Sequence, residues 1–361
     1  MTPVSRRQFM AIAGAGVTSL ATAGAAVALP EALTKSAEAG AGAFDPLPFV
    51  NPEFRPLVGP LLALSAKPAI ASLEALQAAR NSPLFPSPPP SAITPWESRT
   101  VPGHAGNPDV QIYVINAGQK DKPRPAILDI HGGGFIVGTA RSTIASLQEI
   151  AHTLDCVIVT VEYRLAPETR FPGSLEDNYA ALKWLYAHAE ELGADRGRIA
   201  VSGGSAGGGH AAMLAIAARD RGEVPLIFQA LTYPMLDDRT GSTVHKPRQQ
   251  GAIMWKPGSN RFGWSALLGV PAGSAHVPAG SVPARVKDLK GLPSTFIGVG
   301  SIDLFVDEDM TYAQRLLDAG VFVDLVVVPG GFHGFTLFKQ TQVVQRYNDY
   351  YLGVLRQALS T

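Results

Sequence analysis

The chain has 361 residues with 30 basic and 30 acidic side chains, so its formal charge is zero and its isoelectric point is near 7.1. That balance, without any run of like charge, argues against nucleic acid or an anionic lipid surface as partner and favours a small neutral ligand. A hydrophobic fraction of 46% beside 17% charged residues excludes a disordered chain and provides for a large buried core.

Residues 1–39 read apart from the rest. "SRRQFM" followed by the uncharged "AIAGAGVTSLATAGAAVALP" has a positive start, a mildly apolar middle and small-residue cleavage options at 26–28 and 37–39. With Arg6 and Arg7 ahead of Phe9 and Met10, the segment resembles a twin-arginine export signal. An uncleaved anchor over residues 9–29 ranks second, because the Gly, Ala, Ser and Thr that dominate it insert poorly compared with Leu or Ile. The expectation is an exported protein, periplasmic or extracellular, with no stable membrane span after processing. The single cysteine, Cys156, opens the β-branched run "CVIVTVEY" and reads as a small core residue, so no disulfide forms within the chain.

Residues 40–95 form a proline-rich N-terminal segment in which "LVGPLLALSA" and "AIASLEALQAAR" predict short helices. From Trp96 to residue 361 the pattern becomes strand, loop, helix, repeated. Strands are predicted at "DVQIYVIN", "RPAILDIH", "CVIVTVEY", "RIAVSG", "PLIFQALTY", "STFIGVG" and "VFVDLVVV", with helical patterns such as "SLEDNYAALKWLYAHAEELG" between them. Continuous apolar strands alternating with helices imply a parallel sheet covered on both faces, an α/β fold. Residues 234–286 break the alternation with turn residues and no clear strand. A segment that long inside an α/β domain is expected to be a functional insertion such as a lid, forming a cap over the sheet's carboxyl edge with residues 46–95.

"RIAVSGGSAGGGHAAMLAIAAR", residues 198–219, carries the chemistry. Gly203, Ser205 and Gly207 make a G-x-S-x-G pattern between a strand and a helix, the context that turns a weak motif into a nucleophile elbow. A flexible linker does not fit between two strongly apolar elements, and a phosphate cradle lacks its Lys. A serine hydroxyl attacks only when a base takes its proton, an acid orients that base, and donors stabilise the oxyanion. "HGGGF" follows the strand "PAILDI" and is an oxyanion loop of the lipase and esterase type, with the amides of Gly133 and Gly134 as donors and that of Ala206 as the third. His131 reads as a structural residue pinning this loop.

The base is chosen from eight histidines. His333, in a Gly-rich loop after the last apolar strand, is the candidate, because it comes last in the order Ser, acid, His. Asp303, just past "STFIGVG", is the acid, with Asp307 as fallback; Asp307, Glu308 and Asp309 read as first-turn helix residues that complement the dipole.

With these residues in place, the chain resembles the hormone-sensitive lipase family of α/β-hydrolases, the bacterial family IV esterases, over roughly residues 45 to 358. The match extends to "VEYRLAPE" at 161–168, "FPGSLEDNYAALKWL" at 171–185 and "HGF" at 333–335. The resemblance implies an eight-stranded, mostly parallel sheet, a helical cap from the N-terminal segment and the insert after the sixth strand, and a Ser205, Asp303, His333 triad. Gly204 stands where the family usually has Asp or Thr, and Leu304-Phe305 stand where it usually has Pro-Leu; neither change removes a catalytic atom. The implied function is hydrolysis of a small-molecule carboxylic ester of short or medium acyl chain through an acyl-enzyme, with no metal or cofactor. An amidase or acyl transferase would use the same triad, and a non-catalytic binding protein of this fold is expected to lack the base that His333 supplies.

Overall fold

The computed structural model describes residues 44–81 and 88–360. The export signal read in residues 1–39 lies outside them. No helix among the described residues is long and apolar enough to cross a membrane.

Strands β1 (Trp96–Val101), β2 (Val110–Ile115), β3 (Arg124–Ile130), β4 (Val157–Glu162), β5 (Ala194–Gly204), β6 (Phe228–Thr232), β7 (Ser294–Gly300) and β8 (Val323–Val328) form one sheet in the order β1-β2-β4-β3-β5-β6-β7-β8. The β1–β2 and β2–β4 pairs are antiparallel and the others parallel. Side chains alternate across the pleat, so each strand feeds two cores. Leu128 and Ile130 of β3, Val159 and Val161 of β4 and Val201 of β5 enter one core, which takes in α4 (Gly173–Ala187), α5 (Ala206–Arg221) and α7 (Val306–Asp318). Ile127, Ile158 and Ala200 face the other, filled by α3 (Ile144–Leu154) and α8 (Gln342–Ser360). Burial on both faces explains why these strands read as unbroken apolar runs.

Two segments lie outside this sandwich. The N-terminal one carries α1 (Gly59–Ser65) and α2 (Leu73–Asn81), and the insert after β6 carries α6 (Pro257–Leu268). They are stitched together: the Met254 amide donates to Ser65 Oγ at 3.2 Å, the Ile70 amide to Ser259 Oγ at 3.0 Å, and Lys256 Nζ to the Lys67 carbonyl.

Candidate active site

Strand register decides where the chemistry meets. In the β3–β5 pair Ile130 lies opposite Gly203. Both chains leave the sheet there at their carboxyl ends, so the HGGG loop and Ser205 emerge side by side. Ser205 sits at the cap of α5 with φ 59° and ψ −125°, a conformation that costs a non-glycine residue about 1–3 kcal/mol. Space, rather than dihedral freedom, demands its glycines. A Cβ on Gly203 would lie 2.4 Å from the Gly207 carbonyl, and one on Gly207 would lie 1.9 Å from the Ile130 carbonyl oxygen.

Asp303 and His333 arrive on the loops after β7 and β8. These loops touch because Gly300 and Gly331 have no side chains: a Cβ on Gly300 would lie 2.1 Å from the Gly331 carbonyl oxygen. The Ile302 amide donates to that same carbonyl at 3.0 Å. Asn51 of the N-terminal segment holds the histidine loop from outside, donating from its amide to the Gly330 carbonyl at 3.1 Å and from Nδ2 to the Pro329 carbonyl at 2.9 Å.

The result is a continuous hydrogen-bonded line. Ser205 Oγ lies 2.9 Å from His333 Nε2, and His333 Nδ1 lies 2.9 Å from Asp303 Oδ2. Asp303 is wholly buried, and its second oxygen accepts the Phe305 amide at 3.0 Å. Phe305 meets the imidazole edge-on at 5.1 Å and Tyr233 flanks it at 4.8 Å, leaving the ring little freedom to turn away from the serine. In space the line runs Ser205, His333, Asp303, although the chain supplies them in the order Ser, Asp, His, and Ser205 keeps 9% exposure.

Beside the serine, Gly133 and Gly134 have φ of 125° and 61°. Their amides have no hydrogen-bond acceptor among the described residues, and the Ala206 amide belongs to the unpaired first turn of α5. These amides lie in the loop after β3 and at the start of α5, the two segments that leave the sheet side by side where Ile130 pairs with Gly203. Trp255 of the insert covers this loop. A Cβ on Gly134 would lie 2.1 Å from its ring, which stands 6.5 Å from the His333 ring. Nothing in the sequence singled out Trp255 or Asn51, since neither belongs to a motif and both act through tertiary placement.

The alternative acid, Asp307, stands away from the triad, half exposed and paired with Lys246 at 2.8 Å. The reading of Glu308 and Asp309 as dipole-complementing carboxylates needs correction. Both are buried, and burial pushes both carboxyls well above their ordinary range. Glu308 Oε1 instead accepts the amides of Leu236 and Asp237 at 2.7 and 3.1 Å, tying down the start of the insert.

His131 stacks on Tyr163 at 4.2 Å, with its Nδ1 2.8 Å from the Gly132 carbonyl oxygen. His210, in α5, packs edge-on against Tyr163 at 4.7 Å and Phe135 at 4.9 Å. Burial pushes these imidazoles down to about 4 and about 3, with the nearness of His131 adding to the effect on His210. An unfolded histidine titrates near ~6.5, so as pH falls below that the unfolded chain gains protons that the native state refuses, and stability declines by up to ~1.4 kcal/mol per pH unit for each residue. His210→Leu is therefore expected to flatten the pH dependence of urea unfolding between pH ~6.5 and ~4. An unchanged slope would place the acid sensitivity elsewhere.

This geometry agrees with what the chain is similar to. The family described as alpha/beta hydrolase fold matches residues 127–337. Carboxylesterase NlhH of Mycobacterium tuberculosis is 35% identical over 244 residues, which are 67% of this chain and 76% of that protein. Ethyl acetate hydrolase of Pseudomonas putida is 33% identical over 224 residues, covering 58% of this chain and 65% of that one. Among solved structures, a bacterial heroin esterase superposes with a TM-score of 0.75 at 36% identity, covering 87% of this chain and 99% of its own. The chain belongs to the α/β-hydrolases, and within them to the hormone-sensitive-lipase-like family IV esterases.

Proposed function

We infer that the protein is a serine carboxylesterase that hydrolyses small-molecule carboxylic esters. The observation that carries this is the Ser205–His333–Asp303 line, with 2.9 Å at both contacts, set beside unpaired glycine amides. His333 Nε2 takes the Ser205 proton as Oγ attacks the ester carbonyl carbon. The carbonyl oxygen becomes the oxyanion received by the amides of Gly133, Gly134 and Ala206. Collapse breaks the bond to the alkoxy group, which leaves as the alcohol with the proton from His333. Water, deprotonated by the same imidazole, then attacks the acyl-enzyme, releasing the acid and restoring Ser205. Asp303 holds the ring so that Nδ1 keeps its proton and stabilises the imidazolium.

The acyl group is short or medium. The Trp255 ring, pressed against Gly134, supports a confined site, as does the likeness to a protein named for ethyl acetate. The N-terminal segment and the insert form a cap, a reading supported by their mutual hydrogen bonds and by Trp255. Export by the twin-arginine route is supported by Arg6 and Arg7; replacing both by Lys is expected to retain the protein in the cytoplasm, and unaltered export would refute the route.

The test is a series of p-nitrophenyl esters from acetate to palmitate beside p-nitroacetanilide, with a fluorophosphonate probe mapped by mass spectrometry. Turnover peaking at a short or medium ester, negligible anilide cleavage and a probe adduct on Ser205 are expected. Anilide turnover matching the esters would make the protein an amidase, and an unlabelled Ser205 would sink the nucleophile.

A further inference from the structure

We propose that Arg80, on α2 of the N-terminal segment, is a positioning residue that sets the oxyanion loop for turnover; the proposal rests on the esterase reading. Its guanidinium reaches across 56 to 88 residues of sequence to two backbone loops at once. Nε donates to the Ile136 carbonyl at 2.8 Å and Nη2 to the Ala166 carbonyl at 2.9 Å. Nη1 and Nη2 clasp Glu168 Oε1 and Oε2 at 2.7 and 3.0 Å. The two loops are also laced directly, by the Ala166 amide donating to the Phe135 carbonyl at 2.9 Å.

Ile136 is coupled to the donors. Its amide and that of Val137 both donate to the Gly133 carbonyl, at 3.0 and 2.9 Å, closing the turn that aims the Gly133 and Gly134 amides. Displacing Ile136 therefore displaces the peptides meant to meet the oxyanion. This turn is one the local chain does not hold by preference: Gly133, Gly134 and Gly138 have positive φ, and so does Phe135, at 69°. Such backbone persists only when surrounding contacts over-determine it. Ile136 and Ala166 are buried, so losing the guanidinium leaves two carbonyls without their donor. Arginine is required because its planar fork serves divergent acceptors together, which a lysine ammonium on a single stem does not.

Glu168 separates positioning from simple anchoring. Glu168→Gln removes the ion pair but leaves both carbonyl contacts of Arg80 in place, whereas Arg80→Gln removes all of them. Oxyanion donors act on the tetrahedral species and not on bound ester. Arg80→Gln is thus expected to lower kcat on p-nitrophenyl acetate by about tenfold or more with KM within about twofold, and to weaken a trifluoromethyl ketone inhibitor by a similar factor. Glu168→Gln is expected to keep kcat and inhibitor affinity within about twofold of the parent. If Arg80→Gln does not fold, Arg80→Lys, which reaches only one carbonyl, is expected to show the same selective loss of kcat and inhibitor affinity. A folded variant that keeps the parent kcat, or equal losses in the Arg80 and Glu168 variants, would overturn the proposal. Loss of turnover in Ser205→Ala alongside either result shows that the esterase reading itself stands.

Discussion

Asp303→Asn is expected to lower kcat about 10⁴-fold and Ser205→Ala about 10⁶-fold, each with KM nearly unchanged, on p-nitrophenyl acetate. The aspartate's effect follows from its surroundings. One oxygen faces His333 Nδ1 at 2.9 Å and the other accepts the Phe305 amide at 3.0 Å, in a site sealed from water. An asparagine keeps its carbonyl oxygen on the Phe305 amide and turns its NH2 toward Nδ1. The imidazole then carries its proton on Nε2, facing Ser205 as a donor, and cannot take the hydroxyl proton. Because the residues act as a unit, the double variant Ser205→Ala, Asp303→Asn is expected to be no worse than Ser205→Ala alone. Asp307→Asn, which touches the pair with Lys246 and a long contact from Gln250 but no member of the triad, is expected to keep nearly full activity. Comparable losses at positions 303 and 307 would remove Asp303 as the sole acid.

How far the sequence discloses this molecule depends on whether a residue's role is local. Ser205 was legible because its elbow needs glycines on both sides, and the reason is crowding from the Ile130 carbonyl and from within the elbow itself. The central strands were legible because burial on both faces demands continuous apolar runs. β1 was not, since "WESRTV" is an edge strand with only Val101 buried, and its alternation of charge and bulk resembles a loop. Asp303 and His333 meet Ser205 in one hydrogen-bonded line, as the order of the motifs implied. Yet their closeness rests on Gly300 against Gly331 and on Asn51 gripping the histidine loop, contacts between segments far apart in sequence. Glu308 misled for the same reason. A carboxylate in a helix's first turn looks like a dipole partner until the tertiary fold buries it against the Leu236 and Asp237 amides. Arg80 and Trp255 were invisible as functional residues, because nothing in their neighbouring sequence announces which loop they reach.

The oxyanion loop supplies the second large effect. Gly133→Ala is expected to lower kcat by about 10²–10³-fold while the protein stays folded. At φ 125° an L side chain is strained, and the added Cβ would lie 1.9 Å from the Val137 carbonyl oxygen, a backbone atom with no rotamer to escape by. The turn must open, breaking the bonds from the Ile136 and Val137 amides to the Gly133 carbonyl and swinging the Gly133 amide off its target. The triad remains intact, so Ser205 should still react with a fluorophosphonate, only more slowly, because that reaction too builds charge on an oxygen in the same site. The comparison that isolates the effect is Gly353→Ala in α8, where a Cβ meets nothing within 4 Å. There the substitution is expected to leave kcat alone and to raise stability by about 0.5–1 kcal/mol, since alanine is the better helix former. Parent-like turnover in folded Gly133→Ala would mean that the oxyanion is held by other groups.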